Sequence, residues 1–195
     1  MVDIPWLPVT HTLCDGTSVT IRSMRRDEVL HFWDALKSAA ESGVGYGFDE
    51  VYDLDVFMRY YVDGFCNCVI ELTQTGEVVS YFNGYGPCQL ARTADPVIKD
   101  GGNMILKPKY RGRGWYSELS RILHKTADKS IDSKIRGMQS DTAVVNLPVN
   151  LVIMYMNYKV NGILPRSIYF KEHGWVDMVL CFRPYRSYDE QLSKL

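Results

Sequence analysis

Apolar and polar residues alternate over residues 18–24, SVTIRSM, and a period of two predicts a strand. The period then lengthens. Across residues 25–43, Val29, Trp33, Leu36 and Ala40 fall on one helical face and Gly43 supplies a stop. A glycine- and acid-rich loop follows, and Asp55 is placed to cap a second helix over residues 56–64. Two strand-like runs, residues 66–72 and 77–85, flank the turn TQTG and predict a hairpin. After a polar connection, NMILKP reads as a short strand ended by Pro108. In residues 114–130, Trp115, Leu119, Ile122 and Leu123 recur at helical spacing, so that face belongs to the core. KIRGMQS predicts another strand. Residues 146–159 predict a helix, opened by Asn146 with Pro148 in its first turn and ending near Asn161-Gly162. RSIYFKE, the turn HG and WVDMVLCFRPY predict a closing hairpin. The order β-α-α-β-β-β-α-β-α-β-β is a mixed α/β pattern.

Composition narrows the function classes. With 195 residues, 46% hydrophobic and 23% charged, the chain suits one globular domain with a core. We read residues 1–195 as that domain, with 1–17 an N-terminal extension and 186–195 a C-terminal tail. A formal net charge of −1 argues against a general nucleic-acid binder. The N-terminus lacks the basic start and apolar core of a signal peptide. The most apolar stretch, AVVNLPVNLVIMYM, is interrupted by asparagines and a proline and falls short of the ~20 residues that span a bilayer. Five cysteines show no disulfide-framework spacing, and the four histidines show no ligand spacing. Expected is a cytoplasmic protein without a metal or membrane partner, a monomer or homodimer.

One stretch is unusual. In LKPKYRGRGWYSELSRIL, Lys107, Lys109, Arg111 and Arg113 crowd around Gly112 and Gly114 where a helix begins. A helix N-terminus leaves about four backbone N–H groups unpaired and carries roughly half a positive charge, so phosphate is its natural partner. A solvated basic turn is the plain alternative. The loop is not G-x-x-x-x-G-K-[ST], and G-x-G-x-x-G would need glycine at Ser117.

A strand, Pro108 and then YRGRG opening a helix resembles the acetyl-CoA pyrophosphate loop of the GNAT-superfamily N-acetyltransferases, whose pattern is Arg/Gln-x-x-Gly-x-Gly/Ala. Arg111 matches its first position and Gly114 its first glycine, while Tyr116 stands where a small residue is usual. The element order agrees from about Val19 to Tyr185. A narrower resemblance, carried by DPVIKDGGNMIL, NLPVNL, NGILP and WVDMVLCF, is to fungal acetyltransferases of azetidine- and proline-type imino acids. The superfamily resemblance implies a mostly antiparallel mixed sheet of about six to seven strands, with splayed parallel strands at its centre and about four flanking helices.

It also implies acetyl-CoA as co-substrate and transfer of an acetyl group to the amine of a small molecule or amino acid. A non-catalytic acyl-CoA-binding module and a peptide acetyltransferase are the alternatives. The cofactor residues it implies are Ile105, Leu106 and Lys107 on the strand, Arg111, Gly112, Arg113, Gly114, Trp115 and Tyr116 in the loop, and Asn146. The strand's backbone N–H groups would stabilise the thioester oxyanion. A base must deprotonate an amine that titrates near ~10, and Asp100 and Asp141 are the candidates. For the acid, two alignments stand. If Gly162 is the family's Gly-Phe glycine, Tyr158 holds the tyrosine position. If the Asn-x-Pro at Asn146 and Pro148 and the Gly-x-Ile-Pro with ends at Gly162 and Pro165 are the anchors, Asn157-Tyr158 replaces Gly-Phe and Ile153 holds it. The acidic stretch FDEVYDLD, with Asp49, Glu50, Asp53 and Asp55, would face the acceptor.

Overall fold

The computed structural model describes residues 7–42, 51, 53–62, 66–84, 98–100, 103–128, 137–145 and 158–184. Its frame is two sheets. The first is antiparallel, in the order β1 (Val9–Thr12), β2 (Ser18–Ser23), β3 (Cys66–Leu72), β4 (Val78–Gly84), β6 (Asn103–Leu106). The second runs β5 (Ile98–Asp100), β7 (Gly137–Ala143), β9 (Gly174–Pro184), β8 (Lys159–Phe170). Residues 9–12, inside the stretch expected to be an extension, form edge strand β1 and pair with β2.

The joint between the sheets positions everything else. β5 and β6 are nearly one run of chain. β5 pairs parallel with β7, from Ile98 opposite Gly137 to Asp100 opposite Gln139. β6 turns instead to β4, with Asn103 opposite Asn83 and Leu106 opposite Ser80. Past Gln139, among the described residues, β7 pairs with β9 alone, through Ala143 opposite Met178. The two chains therefore part, and a gap opens between β6 and residues 140–143.

Each face of the first sheet is covered. Helix α3 (Trp115–Asp128) lays Trp115, Leu119, Ile122 and Leu123 on Val19, Ile21, Ile70, Met104 and Leu106, as the periodicity predicts. The other face carries α1 (Glu28–Ser42) and α2 (Leu54–Val62), with Val29, Phe32, Leu36 and Phe57 against Val69, Tyr81 and Ile105. Phe32 stacks on Tyr81 and meets Phe57 edge-on, both at 5.6 Å between ring centres. Phe32 takes the core position expected of Trp33, which is half-buried beneath the Lys37 ammonium. Fully burying a side chain of this size stabilises the fold by about 1.5–3 kcal/mol, which favours seating the ring that fits flat on Tyr81.

Two boundaries differ from the pattern. α2 begins at Leu54, so Asp55 lies in its first turn, and the Asp53 carbonyl accepts the first helical bond, from the Phe57 N–H at 2.8 Å. The helix predicted over residues 146–159 lies mostly outside the described residues, but its end does not. β8 already starts at Lys159 and absorbs Gly162 and Pro165 through two register shifts. An edge strand tolerates both residues, because one side of its ladder is unpaired. Arg166 adopts φ 47° there, and its N–H donates to Asp177 Oδ1 at 2.9 Å.

Candidate functional site

The gap between β6 and β7 ends at the basic loop. After Lys107 the chain makes a 3-10 turn over Pro108–Tyr110, then Arg111 to Gly114, then α3. Gly112 and Gly114 have φ 75° and 78°, the left-handed region that glycine occupies without penalty. A Cβ at either would meet nothing within 4 Å, so conformation rather than space demands glycine. The Arg111 N–H donates to the Pro108 carbonyl, but among the described residues no loop or cap acceptor takes the N–H of Gly112, Arg113 or Gly114. With the first-turn donors of α3, these N–H groups form an anion-receptive end.

The four cations do not all face that end. Lys109 is ion-paired with Glu77. Arg111 donates Nε–H to the Leu106 carbonyl at 2.9 Å, clamping the loop onto β6, and burial lowers its pKa. Arg113 lies 5.6 Å and 5.3 Å from the ring centres of Tyr110 and Trp115, which stack on each other. The Lys107 ammonium lies over Tyr81 on the α1 face. Trp115 is buried, and its Nε1–H donates to Asp15 Oδ2 at 2.9 Å. The Cys14 N–H donates to Glu118 at 3.1 Å, so the segment before β2 anchors the start of α3. Tyr116 packs beside the core, and burial pushes its phenol up to about 12.

Register decides which strand groups face the gap. The Lys107 N–H donates to the Val79 carbonyl at 2.9 Å, so Lys107 and Val79 form a hydrogen-bonded pair. Alternation then turns Ile105 toward β4 as well, and the Ser80 hydroxyl donates to the Ile105 carbonyl at 2.9 Å. Of Ile105, Leu106 and Lys107, only Leu106 directs its N–H into the gap. The second gap-facing residue is Met104. Sequence reasoning missed it because a strand's hydrogen-bonding phase depends on its partner's register.

Asp141 lies opposite Leu180 on β7. Its neighbour Ser140 is opposite Cys181, which is buried in the core on the α3 side. Alternation therefore turns Asp141 to the α1–α2 side of the sheet. Desolvation raises the pKa of its carboxyl. Asp100 ends β5 where the strands part, opposite Gln139. Asn146, Ile153, Asp49 and Glu50 lie outside the described residues. Asp53 and Asp55, at the start of α2, are exposed. Among the described residues no three His, Cys, Asp or Glu side chains group as metal ligands, and no helix is long and apolar enough to cross a membrane.

Tyr158 is buried immediately before β8, not on a helix. Its hydroxyl lies 3.1 Å from His124 Nε2. His124 Nδ1 lies 2.7 Å from the Ser120 carbonyl, which can only accept, so Nδ1 carries the proton and Nε2 accepts from Tyr158. Burial pushes His124 down to about 4, with the nearby Arg183 charge adding to the effect, so the imidazole is neutral. The Tyr158 proton is thus committed to His124.

No protein-family model matches the chain, and no curated protein matches it in sequence. Solved structures do match. A GCN5-related N-acetyltransferase from Kribbella flavida superposes with a TM-score of 0.69 at 16% identity, over 85% of this chain and 97% of its own. The structure of yncA from Salmonella typhimurium with its cofactor acetyl-CoA gives 0.66 at 17% identity, over 86% and 94%. Spermidine N-acetyltransferase from Vibrio cholerae, in complex with CoA and spermine, gives 0.66 at 14% identity, over 87% and 97%. At these identities the likeness establishes the fold, that of the GCN5-related N-acetyltransferases.

Proposed function

We propose, with that fold as the premise, that the protein is an acetyl-CoA-dependent N-acetyltransferase acting on the amine of a small molecule or amino acid. The observation that carries this reading is the gap between β6 and β7, which runs out onto a loop held open by two positive-φ glycines. The unpaired N–H groups of Gly112, Arg113, Gly114 and the first turn of α3 suit a pyrophosphate. Met104 and Leu106 offer gap-facing backbone donors for a pantetheine arm added as an extra strand. Arg111 acts by clamping the loop to the Leu106 carbonyl. Asn146 keeps the cofactor-binding role that the resemblance implies.

Acetyl-CoA supplies an activated acyl thioester. The chain must supply a base, because an alkylamine is protonated near neutral pH. Asp141 fits best: it faces the α1–α2 side, and its raised pKa makes it a better proton acceptor than an ordinary aspartate. Asp100, where the strands part, is the second candidate. Tyr158 acts in packing rather than as the acid, since its hydroxyl donates to His124. An alkyl thiol titrates near ~8.5, so its thiolate leaves without an obligatory acid.

The test is release of CoA thiol across a panel of free amino acids, polyamines and a lysine-containing peptide, with the product read by mass. Acetylation of a small amine is expected. Tight acetyl-CoA binding with no turnover on any amine would favour the non-catalytic module, a reading that the occupied Tyr158 hydroxyl keeps in play. A ten-fold preference for the peptide would overturn the small-acceptor assignment.

A further inference from the structure

A cleft of about 530 Å³ lies between α1 and the first sheet, lined among others by Asp34, Ala35, Val78, Tyr81 and Lys107. Its volume is in the range of small-ligand sites. It lies on the α1 face beside β4 and Lys107, whose backbone N–H turns to β4 and not into the gap between β6 and β7.

Three features of its lining are unspent. Tyr81 is buried as a residue but lines the cleft, and among the described residues no protein group hydrogen-bonds its hydroxyl. A hydroxyl that lines the cleft can donate to and accept from a ligand's polar group. Burial, with Glu28 and Asp34 nearby, pushes this phenol up to about 12, so it stays a neutral donor and acceptor. Lys107, half-buried with its ammonium 5.6 Å from the Tyr81 ring centre, makes no salt bridge among the described residues. Asp34 makes none either. The cleft's other strong charges are already paired, because Glu28 binds both Arg22 and Arg25.

Among the described residues, a cation and an anion without a salt bridge, a neutral hydroxyl and an apolar wall of Ala35 and Val78 line one cleft and define the ligand's chemistry. We propose that this cleft binds a small zwitterion of the amino-acid type, its carboxylate at Lys107, its ammonium at Asp34 and its aliphatic body on Ala35 and Val78. Neither a simple cation nor a simple anion satisfies both charges. The proposal goes beyond the acetyl-transfer reading and does not rest on it, because binding is read without turnover.

The experiment follows backbone amide shifts of the full chain by NMR during titration with L-leucine, leucinamide and 4-methylpentanoate. These probes share one aliphatic body and carry both charges, the cation alone and the anion alone. Saturable shifts at Ala35, Val78, Tyr81 and Lys107 are expected with L-leucine, at an affinity at least tenfold above either control. Asp34→Asn, a surface change, should weaken L-leucine by tenfold or more and leave 4-methylpentanoate unchanged. Tyr81→Phe should weaken L-leucine several-fold. Absence of saturable shifts in the cleft at tens of millimolar L-leucine would overturn the proposal. So would equal affinity for all three probes, or shifts confined to residues 140–143, which would assign the amino acid to the gap instead.

Discussion

Protonating His124 should cost the protein a calculable part of its stability. The imidazole is buried, donates to Ser120 and accepts from Tyr158, and has its pKa pushed from an ordinary 6.5 to about 4. In this case the unfolded chain takes up the proton first. Stability is whole above about pH 6.5, falls as the pH drops through the window down to about 4, and is level below it. The full loss is between about 3 and about 4 kcal/mol, from roughly 2.5 pKa units at ~1.4 kcal/mol each. Between about pH 7.5 and about pH 5 it comes to ~2 kcal/mol, or roughly thirty-fold in the folding constant. Replacing His124 alone would also remove the acceptor of the Tyr158 hydroxyl, so the informative variant is His124→Phe with Tyr158→Phe. Urea unfolding followed by far-UV circular dichroism at the two pH values gives both stabilities. Other titrating groups are common to both proteins, so the double variant should lose ~2 kcal/mol less than the wild type. Equal losses in the two proteins would refute the buried neutral imidazole and the hydrogen-bond assignment built on it.

Tyr158→Phe alone should keep turnover within a few-fold of wild type and cost about 1 kcal/mol of stability, because it leaves His124 Nε2 without its donor; a hundred-fold loss of turnover would restore Tyr158 as the acid. Gly114→Ala and Gly112→Ala each force a side chain into the left-handed region at about 1–2 kcal/mol, so acetyl-CoA affinity by calorimetry should fall about tenfold while the melting temperature moves little. Asp141→Asn should slow turnover by about 10²-fold and yet stabilise the fold. Because the native carboxyl holds its proton to higher pH than the unfolded one, wild-type stability falls as pH rises through that window, and the variant's advantage should therefore widen. Asp100→Asn made in parallel decides between the two carboxylates, and thermal melts at several pH values check the sign.

Local pattern accounts for much of this molecule. A period of two is enough to place β2, β3 and β4, since one face of each must meet a core. A period near 3.6 places α3 and its four core residues, because burying that stripe is how a helix of this composition gains stability. The loop was legible too, since two glycines before a helix imply backbone angles that other residues resist. What the sequence could not supply depends on partners remote in the chain. The phase of β6, which turns Met104 and Leu106 rather than Ile105 and Lys107 to the gap, is set by its pairing with β4 some twenty residues earlier. The hydrogen bond of Tyr158 is supplied by His124, thirty-four residues away on α3. The start of β8 was masked by Asn161, Gly162 and Pro165, which break a central strand but not an edge strand that can shift register. Residue type determines what a segment can form and what its side chains can do. Which of those capacities is exercised depends on the neighbour that satisfies each donor, acceptor and charge, and tertiary structure brings that neighbour into place.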